Sequence, residues 1–193
     1  MPGTRKKKRA EPSVPVSERY EDRHFIDTGG KVWNYSLLSD ADVLHFQQGT
    51  HYRLYEHFGS HALQVNGYPG RYFCVWAPNA TSVSVKGHFN GWKDEEYRLF
   101  PRWDKSGIWE GFIPGLNAGE AYKYHIIGYQ GRRLDKGDPF ARLWEKRPQT
   151  ASITWDESYQ WNDAAWMAER IRHNSLDSPW SIYEVHLASW QRP

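Results

Sequence analysis

The sequence predicts a mainly β protein, an immunoglobulin-like antiparallel β-sandwich with short flanking helices. Three observations carry this. Six short β-prone stretches recur between about 70 and 155, separated by turn residues such as Asn90-Gly91, Pro114-Gly115 and Gly128 to Gly131. Two of these stretches alternate apolar and polar side chains, as half-buried strands do. The 193 residues suffice for one medium domain with extensions.

The elements follow in chain order. Residues 1–24 read as a disordered basic tail, with three prolines, the run Arg5 to Arg9 and few apolar residues. Residues 25–68 hold a short helix at about 40–47 and a docking segment. Ser39 and Asp42 have capping-box spacing, Leu38 and Val43 staple spacing, and Gly49 sits at the exit. The stretch Thr50 to His61 is dense in aromatics and histidines with no clean period, and is expected to be irregular.

The sandwich is placed at 69–157. Its strands are Tyr72–Trp76, Thr81–Lys86 with Val83 and Val85 on one face, Tyr97–Phe100, Ile108–Ile113, Ala121–Ile127 and Thr150–Trp155. In Ala121–Ile127, Tyr122, Tyr124 and Ile126 oppose Ala121, Lys123 and His125. A linker helix is expected within 158–179, at 162–173 with Asn162 or Asp163 as cap. Within 180–193, Ile182 to Leu187 reads as one more strand. A lone apolar strand needs neighbours, so it either joins the sandwich or begins a further domain; the second reading is adopted.

Composition excludes several classes. The longest apolar run, Tyr72 to Ala77, is far short of the roughly 20 residues that span a bilayer. No apolar stretch follows the basic start, and Cys74 stands alone, so the chain reads as cytosolic with no internal disulfide. The net charge of +2 rests on the tail; without Arg5 to Arg9, 20 basic residues face 23 acidic ones. No field for nucleic acid remains. The surplus is aromatic: 11 Trp and 12 Tyr against 2 Met. Such side chains suit the apolar faces of sugar rings, and equally fill a β-rich core.

Catalytic constellations are weak. Cys74 sits mid-strand, where a thiol behaves as a core residue. His57 and His61 are four apart, but Gly59 intervenes and Phe58 stands where a zincin has Glu; His51 is too distant in sequence to help. Asp94, Glu95 and Glu96 form a charge run, not a spaced pair of carboxylates. What remains is Asn90 and Trp92 in a turn, with Lys123 on a strand. A turn Trp can stack on a sugar while Lys and amide bond its hydroxyls, or it can pack the sandwich edge.

These residues resemble the amino-terminal part of bacterial 1,4-α-glucan (glycogen) branching enzymes, from about Val43 to Trp190. The motifs are Gly49-Thr50-His51-Tyr52-Arg53-Leu54-Tyr55-Glu56, Phe73-Cys74-Val75-Trp76-Ala77-Pro78-Asn79-Ala80, Phe89-Asn90-Gly91-Trp92, Tyr122-Lys123-Tyr124, Lys136-Gly137-Asp138-Pro139-Phe140-Ala141 and Tyr183 to Trp190. The resemblance implies an isoamylase-type glucan-binding sandwich followed by the first strand of a (β/α)₈ barrel, against which the sandwich packs. It implies an enzyme that cleaves α-1,4-glucan and transfers the segment to a 6-hydroxyl, forming α-1,6 branches through a covalent glucosyl intermediate. In that family the reacting carboxylates lie on later barrel strands. No residue here is therefore expected to be catalytic, no cofactor or metal is implied, and the chain alone is expected to be inactive. The implied partner is α-1,4-glucan or glycogen, with neither nucleic acid nor membrane.

The sandwich is also similar to the glycogen-binding module of the AMP-activated kinase β subunit. Trp92 and Lys123 match that module's first Trp and its Lys; its second Trp, and its Leu and Asn near the end, have no counterpart here. A stand-alone glucan-binding module and the start of a debranching or trehalose-forming enzyme are the alternative readings.

Overall fold

The computed structural model describes residues 29–156 and 159–190; the basic tail lies outside the described residues. The chain divides after Asp156 into two units. The first contains two antiparallel sheets. One has four strands in the order β1 (Gly59–Val65), β2 (Tyr68–Trp76), β6 (Ile108–Pro114), β5 (Phe100–Pro101). The other has β4 (Tyr97–Arg98), β3 (Ala80–Gly87), β7 (Ala121–Gly128), β10 (Ser152–Ile153) and β9 (Leu143–Trp144), with β8 (Arg133–Lys136) also paired to β7.

The central strands of the first sheet, β2 and β6, are buried on both faces, which accounts for the unbroken apolar run in β2. Phe73 and Val75 face the second sheet and join Val83, Val85, Tyr122 and Tyr124 in one core. Tyr72 and Cys74 face the other way, where Trp33, Tyr35, Leu37 and Val43 cover them in a second core. Residues 33–38 are thus a third layer over a sheet that would otherwise expose its back. Trp33 adds a bridge to Phe112, with N–H to O distances of 2.7 and 2.9 Å in the two directions. Cys74 is fully buried as a core residue.

Helix α1 spans Asp40–Gln47, as its caps predict. The Ser39 hydroxyl accepts from the Asp42 N–H, and the Asp42 carboxylate accepts from the Ser39 N–H at 2.8 Å. Three strand assignments differ from the sequence reading. The stretch expected to be irregular ends in β1, which pairs with β2 through Asn66-Gly67. Both turn residues have positive φ, 48° and 80°, the geometry a two-residue hairpin demands. The stretch Tyr97–Phe100 is not one strand: Tyr97–Arg98 pairs with β3 and Phe100–Pro101 with β6, so the chain crosses between sheets at Leu99. Strands β8 and β9 are short, and backbone pairing against β7 and β10 makes them, not local propensity.

The second unit holds α2 (Ala164–His173) and a single turn, α3 (Leu187–Trp190). Asp163 occupies the cap of α2 without a side-chain cap bond. The strand expected at Ile182–Leu187 is not formed: residues 181–186 carry no secondary structure. A strand is held by the ladder bonds of a neighbour, and none of the described residues pairs with this segment.

His61 on β1 carries a pH prediction. Its Nε2 lies 2.9 Å from the Phe58 carbonyl. Burial first, then the nearby Arg142 charge, lowers its pKa from 6.5 to about 4, while the bond to Phe58 opposes the shift. The unfolded chain takes up this proton below about pH 6.5 and the folded one only near pH 4. Stability therefore falls across that window as pH drops, by about 2 kcal/mol at pH 5. Urea unfolding at pH 7 and pH 5 should show this loss in the parent and a smaller one in His61→Gln; equal losses would rule it out.

Candidate functional site

The residues singled out from sequence lie in the loop that follows β3 and on β7, the strand paired with β3. After β3 the chain enters a 3-10 turn, His88–Asn90, and then a loop in which Gly91, Trp92 and Glu95 all have φ near +60°. Asn90 makes this loop possible. Its Oδ1 accepts the Gly87 N–H and its Nδ2 donates to the Lys93 carbonyl, both at 3.0 Å, while the Trp92 N–H donates to the Gly87 carbonyl at 2.9 Å. Both ends of the buried amide are thus committed to the turn. Gly87 is required here, because a Cβ would sit 2.2 Å from the Ala121 carbonyl oxygen. Trp92 is half-buried, with His88 edge-on to its ring at 5.5 Å.

Lys123 lies on β7 directly opposite Lys86 on β3. Two like charges in register repel, and the structure separates their roles. Lys86 Nζ is 2.7 Å from both Asp94 and Asp135, and His125 Nδ1 is 2.7 Å from Asp135. Burial pulls Lys86 down, but these carboxylates outweigh it and hold its pKa above the ordinary lysine value. Lys123 instead donates to the neutral Thr150 hydroxyl at 2.8 Å. Among the described residues no carboxylate of this face pairs with it, and an ammonium has further N–H donors to offer.

The same network pins the loop that carries Trp92. Asp94 is held by Lys86, the Glu95 N–H donates to Ser84 Oγ at 3.2 Å, and the Glu95 carboxylate takes Arg98 and Arg133. Sequence reading missed Lys86, His125, Asp94 and Asp135 as one unit. The signal was the shared parity of Lys123 and His125 on β7; the partners come from a loop and from β8, which only pairing reveals.

A second cluster lies at the start of α1. Asp42 Oδ1 is 3.3 Å from His51 Nε2 and 3.9 Å from His57 Nε2, so His51 is brought in despite its distance in sequence. The Arg53 N–H donates to His51 Nδ1 at 3.2 Å. In the neutral ring this leaves the proton on Nε2, facing the carboxylate, and the cluster ties residues 51–57 to the helix. A shallow cavity of about 230 Å³ adjoins it, lined by Asp42, His45, Thr50, His51, Tyr52 and Arg53. His61 points away to Phe58, so His57 and His61 do not converge.

Residues 57–141 match the family model for carbohydrate-binding module 48, the isoamylase N-terminal domain. The chain is 49% identical over 158 residues to a 1,4-alpha-glucan branching enzyme GlgB of Aromatoleum aromaticum, covering 82% of this chain and 24% of that protein. It is 48% identical over 158 residues to the GlgB of Aquifex aeolicus, covering 82% and 25%. The chain thus spans about a quarter of the length of these relatives. Among solved structures, a pullulanase from Bacillus acidopullulyticus is 20% identical with a TM-score of 0.42, over 51% of this chain and 12% of that one. No described helix is long and apolar enough to cross a membrane. Residues 57–141 are therefore similar to carbohydrate-binding module 48, and the chain as a whole is similar to a part of 1,4-alpha-glucan branching enzymes.

Proposed function

We propose that this chain is the N-terminal part of a cytoplasmic glycogen branching enzyme, and that its sandwich holds α-1,4-glucan for a catalytic barrel that follows it. The observation that carries this is the near-50% identity to branching enzymes across four-fifths of the chain. In this reading the barrel begins within 180–193, and α2 belongs to the linker before it. The exposed Trp161, Trp180 and Tyr183 of the second unit suit packing against such a domain. Branching would cleave an α-1,4 bond and transfer the segment to a 6-hydroxyl, with both reacting carboxylates supplied by the barrel.

Trp92 and Lys123 contact the glucan in this proposal, and Asn90 shapes the turn instead of touching the ligand. The Trp92 ring stacks on a pyranose face, and the spare Lys123 donors bond hydroxyls. On a native gel containing glycogen, the parent chain should be retarded, and Trp92→Ala should lose most of that retardation. Unchanged mobility of a folded Trp92→Ala protein would remove this residue from the site. The isolated chain should form no α-1,6 branches on amylose; detectable branching would overturn the assignment of catalysis to the barrel.

A further inference from the structure

A second pair of indoles lies far from Trp92 in the topology, at the end of the first sheet. Trp103 is 65% exposed and Trp76 is 55% exposed. They bracket the 103–107 turn that joins β5 to β6. The Arg102 N–H bonds to the Ile108 carbonyl, and Ile108 pairs with Trp76, so the three positions line up across adjacent strands. Two strand spacings separate Arg102 from Trp76, about 10 Å, a span on the scale of a short oligosaccharide.

Exposed tryptophans are ordinarily free to turn; these two are held. The Arg102 guanidinium lies over one face of the Trp103 ring, 4.4 Å from its centroid. That guanidinium is itself fully buried and fixed, 2.9 Å from Glu110 and 2.8 Å from Asp104, with a further bond to Ser36. Its charge is thereby matched, while Trp103 itself remains 65% exposed. Trp76 donates its Nε1–H to the Ser106 carbonyl at 3.1 Å and meets Phe46 edge-on at 5.9 Å. Flat apolar faces that are already ordered lose little entropy when a ligand stacks on them. Asp104 and Lys105 follow Trp103 directly in the chain, and the exposed Asp40 lies 3.9 Å from the Arg102 guanidinium; these polar groups can bond hydroxyls.

We infer that Trp103 and Trp76 form a second carbohydrate platform, which binds an α-glucan by stacking on pyranose faces at the rim of the first sheet. A sugar fits better than a protein surface, because charged residues adjoin Trp103 in its turn and Asp40 adjoins the arginine behind it, whereas a protein-binding patch is apolar at its centre. The inference rests on the proposed glucan reading of the module, and it adds a site that lies on a different sheet from Trp92 and Lys123.

The test uses the intact chain and its indole N–H signals in NMR. Single Trp→Phe variants assign the resonances of Trp92, Trp103 and Trp76, and maltoheptaose is titrated into the unaltered protein. Movement of the Trp103 and Trp76 signals, saturating with sugar, is expected. Trp103→Ala should then weaken oligosaccharide binding at this site roughly three- to ten-fold, while Trp103→Phe keeps much of it. If Trp92 moves and the other two stay still, the second platform is wrong and the first site stands. If none moves, both readings fall. If Trp103 shifts on dilution of the protein but not with sugar, the surface contacts protein and the inference is overturned.

Discussion

Glu110→Ala is expected to cost the first unit about 3–5 kcal/mol, the range seen when one partner of a buried ion pair is removed. Glu110 and Arg102 are both almost completely buried in the core between the first sheet and residues 33–38. The Glu110 carboxylate accepts from Arg102 at 2.9 Å, from Ser36 at 3.0 Å and from the Tyr72 hydroxyl. Alanine leaves a guanidinium and a tyrosine hydroxyl in apolar surroundings with fewer partners. A drop in melting temperature of roughly 10 °C should follow. The double variant Glu110→Leu with Arg102→Met removes both charges and should recover much of the loss, because neither group is then stranded. Urea unfolding of the three proteins decides; a single variant within about 1 kcal/mol of the parent would mean this network does not hold the layer. Because Arg102 backs Trp103, the single variant should also loosen that ring.

Asp138→Ala is the second large effect, about 3 kcal/mol or more. Asp138 is fully buried, and its Oδ2 accepts from Tyr122 Oη at 2.6 Å and Tyr124 Oη at 3.2 Å. Its Oδ1 accepts the Phe140 N–H at 2.8 Å, and its own N–H donates to Ser152 Oγ at 2.8 Å. Burial raises this carboxyl above its ordinary pKa, with the bonds to Tyr122 and Phe140 opposing the shift. Alanine orphans two buried hydroxyls at once; asparagine should cost less, since hydroxyl rotors can re-aim. Tyr122 and Tyr124 flank Lys123 on β7, so Asp138→Ala should weaken glycogen retention as well as lower the melting temperature. A destabilised variant with full glycogen retention would separate the core of β7 from its outward face.

Legibility followed the range of the interactions. Helix α1 could be read because its capping box is three residues wide, and the Val83/Val85 and Tyr122/Tyr124 faces because alternation needs no partner. Strand β1 could have been read too, since Asn66-Gly67 is a strong hairpin signal; its irregular, histidine-rich lead-in hid it. Strands β8 and β9 had no local signature. The parting of Tyr97–Phe100 between two sheets was equally hidden, because nothing in four residues encodes two different neighbours.

The same division holds for function. By itself the sequence determined the sandwich class, the turn carrying Asn90 and Trp92, the strand carrying Lys123, and the motifs shared with branching enzymes. Tertiary structure alone decided that Lys86 is neutralised while, among the described residues, no carboxylate pairs with Lys123. It also decided that the Arg102 charge, which backs Trp103, is matched by Glu110 and bonded to Ser36. Each of these depends on which groups from distant segments meet in a low-dielectric interior, where charge pairing and unmet hydrogen bonds dominate the energy. Local sequence patterns carry propensity and periodicity, but not those encounters.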